Sequence, residues 1–244
     1  MRRLAPTIAL ASAALIACSG QAQQPAAPAP MSAPSPQQQS ASKPFETQVV
    51  ADFDAPWAMT FLPDRRMLVT EKAGQLLLVT ADGKSRAVVA GTPAVDSVGQ
   101  GGLMDVVLHP RFAQNRLVYL SFSEAGPGGK GVALARGRLE DGPPPRLADL
   151  RVIFRASPYV EGNGHYSGRI AFSRDGYLFF TNGDRQKFTP AQDPKATLGK
   201  VLRLNDDGTP ARGNPLAAKG FHPAVWSYGH RNLLGIAFDG AGNL

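Results

Sequence analysis

The segment FSRDGYLFFT, residues 172–181, is the strongest indication of the fold, because its pattern recurs along the chain. The segment FLPDRRMLVT, residues 61–70, aligns with it without a gap, and FDGAGNL, residues 238–244, begins in the same way. A version with a longer turn runs through residues 108–120. Each copy combines a large apolar residue, a turn and a run of β-forming residues, which is typical of two antiparallel strands joined by a short loop.

The spacing of these copies indicates how the strands are grouped. Successive copies begin at residues 61, 108, 172 and 238 and therefore lie 47, 64 and 66 residues apart. Each interval is long enough for one four-stranded sheet with its loops. We therefore predict an all-β domain with the fold of a β-propeller, in which sheets pack radially around an axis. A two-sheet sandwich is the alternative, but it does not require the same hairpin to recur.

Short β-type runs separated by Gly, Pro, Asp and Asn fill the chain from residue 45 onward. The predicted strands are residues 67–70, 75–80, 87–90, 105–108, 117–122, 132–139, 152–155, 169–172, 177–181, 201–204, 225–228 and 235–238. Helical periodicity extends to one or two turns at most, at residues 194–200. Because the last hairpin copy stops at Leu244, we expect an N-terminal portion of about three to four blades.

The first 44 residues differ in composition from the rest. Residues 1–17 have a basic start and an apolar stretch, the pattern of a secretory signal peptide. The run LIAC ends at Cys18 and resembles a bacterial lipobox, which predicts a lipid anchor on this cysteine; a plain cleaved signal is the alternative. Residues 18–44 are rich in Pro, Ala, Gln and Ser and predict a disordered tether. Residues 45–244 then form the domain.

Charge and cysteine usage limit the classes of partner. Lys and Arg number 26 against 19 Asp and Glu, a net charge of +7, but the basic residues are scattered. A nucleic-acid partner is therefore not expected, since it requires a clustered basic patch. The single cysteine excludes a disulfide framework. We expect an exported protein, in the periplasm or at the outer membrane, that contacts the membrane through its lipid anchor alone.

One histidine has the surroundings of a catalytic group. His165 lies in the loop EGNGHYSG, residues 161–168, among small and flexible residues just before a predicted strand. An imidazole titrates near neutrality and can accept a proton from a bound hydroxyl group. A histidine that only bonds a loop carbonyl is the alternative, and position alone does not decide between the two.

Three further segments carry polar residues that could join His165. Gln100 is at the crest of a glycine-rich turn, and Arg231 and Asn232 stand side by side between two predicted strands. Asp184 follows the strand at residues 177–181. Aspartate at a strand end commonly caps a turn, so we expect that role there rather than an acid or a metal ligand.

Four segments together resemble a known family: GQGGLMDVVLHPRF, GHYSGRIAFSRDGYLFFTNGD, LGKVLRLNDDGTP and WSYGHRN. They are similar to the soluble, pyrroloquinoline-quinone-dependent sugar dehydrogenases of the glucose/sorbosone dehydrogenase group, and most closely to the aldose-dehydrogenase branch. The likeness covers residues 55–244. It implies a six-bladed propeller that oxidises an aldose at C1 to a lactone. It also implies pyrroloquinoline quinone and Ca²⁺ as cofactors and an external electron acceptor.

The same resemblance implies roles for single residues. His165 matches the general base that takes the proton of the anomeric hydroxyl, and Gln100 matches a residue at the substrate edge of the site. Arg231 and Asn232 match a pair that contacts quinone and substrate. Two alternatives stay open, a turn-stabilising amide for Gln100 and a surface ion pair for Arg231.

Two departures from the family pattern affect these expectations. Gly164 stands where the glucose-preferring branch has an acidic residue, which favours a broader range of aldoses. The family's calcium ligands lie beyond the position equivalent to Leu244, so no metal ligand is predicted in this chain. The rival hypotheses are a non-catalytic envelope propeller that binds saccharide or protein, and an inactive truncated product.

Overall fold

The computed structural model describes residues 45–244, so the predicted signal peptide, Cys18 and the predicted tether lie outside the described residues. Within this range, twelve strands form three four-stranded antiparallel sheets. Sheet 1 contains β1 (Pro56–Phe61), β2 (Met67–Glu71), β3 (Leu76–Val79) and β4 (Arg86–Val88). Sheet 2 contains β5 (Leu103–Leu108), β6 (Leu117–Gly126), β7 (Gly129–Glu140) and β8 (Arg146–Arg155). Sheet 3 contains β9 (Ser167–Phe172), β10 (Leu178–Asn182), β11 (Lys200–Leu204) and β12 (Val225–Tyr228).

The recurring hairpin occupies the same place in each sheet. Strands follow one another in chain order, so every sheet is a meander. Phe61, Leu108 and Phe172, which begin three copies of the hairpin, are the last residues of β1, β5 and β9. The turn and the second strand follow in each case. The predicted all-β fold and its repeat are therefore confirmed, and the three sheets are consistent with a propeller-like fold.

A repeated hydrogen-bond pattern joins neighbouring sheets. Thr70 Oγ1 of sheet 1 accepts a hydrogen bond from Ala58 N (3.0 Å) and donates one to Met104 O of sheet 2 (2.6 Å). Ser121 Oγ makes the corresponding two bonds one sheet further on. It accepts from Asp105 N (2.9 Å) and donates to the carbonyl of residue 168 in sheet 3 (2.5 Å). The second strand of each sheet thus holds the first strand of the next.

The pattern occurs a third time, beyond sheet 3. Thr181 Oγ1 accepts a hydrogen bond from Arg169 N (2.8 Å) and donates one to Leu233 O (3.4 Å). Leu233 therefore occupies the place that Met104 and Gly168 hold in sheets 2 and 3. The segment after β12 lies against sheet 3 in the manner of the first strand of a following sheet.

The apolar core lies between the sheets. In β6, Val118, Leu120 and Phe122 pack into the core between sheets 1 and 2, while Tyr119 packs into the core between sheets 2 and 3. Alternate residues of a strand point to opposite faces, so sheet 2 is buried on both sides. Burial of each large apolar side chain contributes about 1.5–3 kcal/mol to folding.

Three expectations about single elements are wrong. β1 is not among the predicted strands; its Pro56 is tolerated because it is the first residue of a strand that lies at the edge of its sheet. Residues 235–238 are not a strand, and within residues 45–244 they have no strand to pair with. Residues 194–200 form a turn into β11 rather than a helix, and a 3-10 turn at Thr189–Ala191 precedes them.

Helices are few and short in the described part of the chain. They are α1 (Phe112–Asn115), which lengthens the hairpin of sheet 2, and the 3-10 turns Thr189–Ala191 and Ala217–Lys219. No helix within residues 45–244 is long and apolar enough to cross a membrane.

Candidate active site

The loop between β8 and β9 holds His165 in an unusual backbone conformation. His165 has φ +51° and Ser167 has φ +61°, both in the left-handed region. For a residue other than glycine this conformation costs about 1–2 kcal/mol, so the surroundings must enforce it. Such strain is common where a side chain is held for function.

The His165 ring is held by a buried carboxylate. Its Nδ1 lies 2.8 Å from Asp184 Oδ1, and the two side chains are 7% and 2% exposed. The carboxylate can only accept, so Nδ1 carries the proton and the lone pair of the neutral ring lies on Nε2. Nε2 has no hydrogen-bond partner among residues 45–244. An imidazole in this state can accept a proton from a ligand.

Asp184 is a residue whose contact with His165 the sequence analysis missed. The expected turn bond exists, since Oδ1 accepts a hydrogen bond from Gln186 N (2.9 Å), but the same oxygen also meets the His165 ring. Antiparallel pairing of β9 and β10 brings Asn182 opposite Ser167. Asp184 lies two residues after Asn182, and His165 lies two residues before Ser167, so the two continue the same pairing. Extending the predicted hairpin would have brought Asp184 only to the residue next to His165, because the register shifts by one residue between Phe180 and Asn182.

Gly183 makes this close approach possible. A Cβ atom at this position would overlap the carbonyl oxygen of His165. The backbone N–H of Gly183 donates to Tyr166 O (3.1 Å), and that of Arg185 donates to His165 O (3.3 Å). The two chain segments therefore touch through their backbones on both sides of the His165 ring contact.

Gln100 binds the backbone of His165. Its Oε1 accepts a hydrogen bond from His165 N (2.7 Å), and its own backbone N–H donates to Asn163 O (2.8 Å). The side-chain oxygen therefore stabilises the loop that contains His165. The residue is exposed, and it lines a cavity of about 360 Å³ together with Trp57 and Tyr166.

Asn232 lines the same cavity and binds the other side of the loop. Its Oδ1 accepts hydrogen bonds from Ser167 N (3.2 Å) and Ser167 Oγ (3.3 Å), and Leu233 N donates to Ser167 Oγ (2.8 Å). The structure thus brings Gln100 and Asn232 to the two flanks of His165.

Arg231 is joined to the site through its backbone. Its carbonyl accepts a hydrogen bond from Asp184 N (2.8 Å). Its guanidinium is exposed and makes no ion pair or hydrogen bond with any residue in the range 45–244, so the surface ion pair considered as an alternative is not found there. It lines a second cavity of about 380 Å³ with Asp184 and Gln192. Arg231 therefore lines a different cavity from Gln100 and Asn232.

A buried lysine supports the segment that leads to Arg231. Lys200 Nζ donates to the carbonyl oxygens of Pro190 (2.8 Å), Ala191 (2.9 Å) and Leu198 (2.9 Å). Ala191 O also accepts from Gly229 N (3.0 Å). Burial lowers the pKa of Lys200 to about 8. The ammonium group thus joins the 3-10 turn at residues 190–191 to the residues that lead into β11.

The described residues fit one of the two implied cofactors. The guanidinium of Arg231, without a carboxylate partner, and the amide of Asn232 suit a planar, anionic quinone. By contrast, no group of three or more His, Cys, Asp or Glu side chains within residues 45–244 could hold a metal ion. These residues alone do not fit a calcium ion.

Comparison with known proteins gives consistent relatives. The glucose/sorbosone dehydrogenase family matches residues 53–244. Aldose sugar dehydrogenase YliI of Escherichia coli is 42% identical over 189 residues, which cover 76% of this chain and 51% of that protein. The crystal structure of the soluble aldose sugar dehydrogenase from Escherichia coli, in the apo form, has a TM-score of 0.75 at 41% identity and covers 80% of this chain and 57% of that one.

A further solved structure contains the quinone. The PQQ-bound aldose sugar dehydrogenase from Streptomyces coelicolor has a TM-score of 0.68 at 30% identity, over 80% of this chain and 57% of that one. The chain spans about half the length of the curated relatives it matches. Since the family match includes almost all of the described residues, the chain belongs to the glucose/sorbosone dehydrogenase family.

Proposed function

We propose that this protein is a quinoprotein dehydrogenase that oxidises aldose sugars at C1 to lactones and passes electrons to an external acceptor. The observation that carries the proposal is the buried pair of His165 and Asp184, in which Nε2 of the ring has no partner among the described residues. The names of the relatives, aldose sugar dehydrogenase and glucose dehydrogenase, support the same chemistry.

In this proposal His165 is the general base. Nε2 accepts the proton of the anomeric hydroxyl, and the Asp184 carboxylate stabilises the imidazolium that forms and keeps the ring in one orientation. A positioned base of this kind typically contributes about 10²–10⁴-fold to the rate. When bound, pyrroloquinoline quinone supplies the acceptor for the hydride that leaves C1.

The flanking residues bind the two ligands. The amide nitrogen of Gln100 would donate to a sugar hydroxyl, since the oxygen of this side chain is engaged by His165 N. Arg231 and Asn232 would hold the quinone, Arg231 through its charge and Asn232 through its amide nitrogen. Arg231 would also contact the sugar. The calcium ion stays an expectation from the resemblance.

The wider organisation belongs to the same proposal. The three sheets would be three blades of a six-bladed propeller. Export to the periplasm or outer membrane, with a lipid on Cys18, stays a prediction, because the N-terminal 44 residues lie outside the described range. Replacing Cys18 by alanine tests it: release of the mature protein from the membrane fraction supports the anchor, and unchanged membrane attachment contradicts it.

The activity is tested with protein expressed from its complete gene, loaded with Ca²⁺ and pyrroloquinoline quinone, and assayed for aldose-dependent reduction of a dye. The variant His165→Ala should lose at least about 100-fold in rate. His222→Ala is the matched control, since the ring of that histidine accepts a turn bond from Ala224 N (3.2 Å), packs against Phe154 and makes no hydrogen bond to the described residues of the His165 loop. A wild-type protein that binds the quinone and reduces nothing would instead support the non-catalytic, ligand-binding propeller.

A further inference from the structure

Arg185 is the largest of the fully buried side chains, with 0% exposure. No carboxylate within residues 45–244 forms an ion pair with it. Burying a cation without a counter-ion is costly unless every donor is satisfied. The contacts of this guanidinium therefore show which part of the structure it stabilises.

All hydrogen bonds of the guanidinium within residues 45–244 are made to the His165 loop or to β7 beside it. Nε donates to Gly164 O (3.1 Å), Nη2 to Gly162 O (2.5 Å) and Nη1 to Lys130 O in β7 (3.2 Å). The guanidinium also stacks on Tyr166, with Cζ 3.6 Å from the ring centroid. The residues on both sides of His165 are thus bound by one rigid, planar group.

This arrangement explains how a glycine-rich loop keeps a strained histidine. Gly162 and Gly164 would otherwise leave the peptide groups before His165 free to rotate, since glycine has little conformational preference. The guanidinium fixes the direction of both carbonyl groups. Asp184, the preceding residue, holds the ring of His165. Asp184 therefore holds the side chain of His165, and the next residue, Arg185, holds the backbone just before it.

The support extends to the Gln100 turn through Lys130. Lys130 Nζ pairs with Asp96 (2.9 Å) and donates to Asn163 Oδ1 (2.8 Å), while its carbonyl accepts from Arg185. Asp96 lies in the segment that leads into the Gln100 turn, and Gln100 in turn binds His165 N. The Arg185 guanidinium is the group that ties this network to the residues next to His165.

We propose that Arg185 is a positioning residue that, by bracing the backbone of residues 162–166, keeps the His165 ring on Asp184 as one tautomer with Nε2 unprotonated. Its effect on turnover rests on the proposed function. The effect of Arg185 on the His165 ring does not depend on the proposed function, and it can be measured without cofactor or sugar. A purely stabilising arginine would change the melting temperature and leave the tautomer unchanged.

The test uses ¹⁵N NMR of the histidine side chains in the full-length protein without cofactor. In the wild type, the neutral His165 ring should be present as a single Nδ1–H tautomer. Arg185→Lys keeps the positive charge but loses the planar guanidinium that binds several carbonyl groups at once, and Arg185→Met loses both. Each variant should show a mixture of tautomers. Arg203→Met is the matched control, because Arg203 also stacks on an aromatic ring of sheet 3, that of Tyr177 at 3.8 Å, and makes no contact with the His165 loop.

Turnover of the quinone-loaded protein provides the second readout. In Arg185→Lys, kcat should fall about 10–100-fold with KM nearly unchanged, because misplacing a catalytic group by about 1 Å has an effect of this size. A changed tautomer in a protein without dehydrogenase activity would leave the inference about Arg185 standing and overturn the proposed function. A folded Arg185→Lys variant with the wild-type tautomer and wild-type kcat overturns the inference, including when Arg185→Met does not fold. Mixed tautomers in the wild type overturn it as well.

Discussion

Nδ1 of His165 lies 2.8 Å from Oδ1 of Asp184, and the backbone around this contact is packed so closely that residue 183 must be glycine. The ring is thereby placed with one nitrogen bound to a carboxylate and the other without a partner in the described part of the chain. This relationship is the basis of the mechanism proposed for the protein.

Replacing Asp184 by asparagine should separate the effect of the negative charge from the effect of the side chain's shape, because the two side chains have nearly the same shape. The amide can rotate and donate to Nδ1, which moves the ring proton to Nε2 and removes the base. We expect kcat for aldose oxidation to fall by about 10²–10⁴-fold. Steady-state dye reduction measures this, with Asp175→Asn in the exposed turn of sheet 3 as control. A variant that keeps half of the wild-type kcat would show that the carboxylate is not needed.

Gly183→Ala should displace the His165 carbonyl. The added methyl group overlaps that oxygen, so either the loop or the end of β10 must move. Overpacking of this kind costs about 1–3 kcal/mol, and we expect a loss of that size in the free energy of unfolding, measured by urea denaturation. Gly235→Ala, where a Cβ meets no atom within 4 Å, should have little effect. Equal stability of the two variants would contradict the close packing described here.

The side-chain hydroxyl groups of Ser121 and Thr181 join neighbouring segments of the fold, and the one that donates the shorter hydrogen bond should contribute more to stability. Ser121→Ala leaves a buried N–H and a buried C=O without a partner, at a cost of about 1–3 kcal/mol each. Thr181→Val, whose bond to Leu233 is 3.4 Å long, should cost less. Urea denaturation measures both, with exposed Ser97→Ala as control. The repeated pattern would have no energetic importance if Ser121→Ala were as stable as the control.

Lys200 predicts a pH dependence of stability. Burial lowers the pKa of Lys200 from 10.5 to about 8 in the folded protein, so between these two values the unfolded chain binds more protons than the native state. The free energy of unfolding should therefore rise with pH in this window, by up to about 1.4 kcal/mol per pH unit from this group, and not change below it.

The comparison of wild type with Lys200→Met isolates this contribution. The difference in unfolding free energy, wild type minus variant, should increase between pH 8 and pH 10, whereas exposed Lys195→Met should show no such trend. A difference that is constant or falls with pH would mean that Lys200 keeps its proton in the folded protein.

The strands could be predicted largely because their residues repeat. The hairpins ending at Thr70 and Thr181 have matching turns and matching β-forming runs, and these lie at the same place in sheets 1 and 3. β1 is not predicted, because its sequence PWAMTF has no alternation of polar and apolar residues, although Pro56 is tolerated as the first residue of an edge strand.

The candidate site could be predicted less completely. His165 and its glycine-rich loop are visible in the sequence, but the bulge between Phe180 and Asn182 shifts the strand register by one residue. An unshifted register brings Asp184 opposite Tyr166 instead of His165. Arg185 could not be recognised either, since an arginine beside a strand end is normally exposed, and its burial depends on carbonyl groups of a distant loop.

The proposal that the protein oxidises aldoses at C1 with His165 as the base is tested by following product and rate together. Protein from the complete gene, loaded with Ca²⁺ and pyrroloquinoline quinone, is given an aldose with hydrogen or deuterium at C1, and lactone and reduced dye are measured. With a dye that accepts two electrons, we predict equal amounts of lactone and reduced dye, slower turnover with deuterium, and loss of both products in His165→Ala. Quinone-loaded protein that forms no lactone, or a His165→Ala variant with wild-type rates, would contradict the claim.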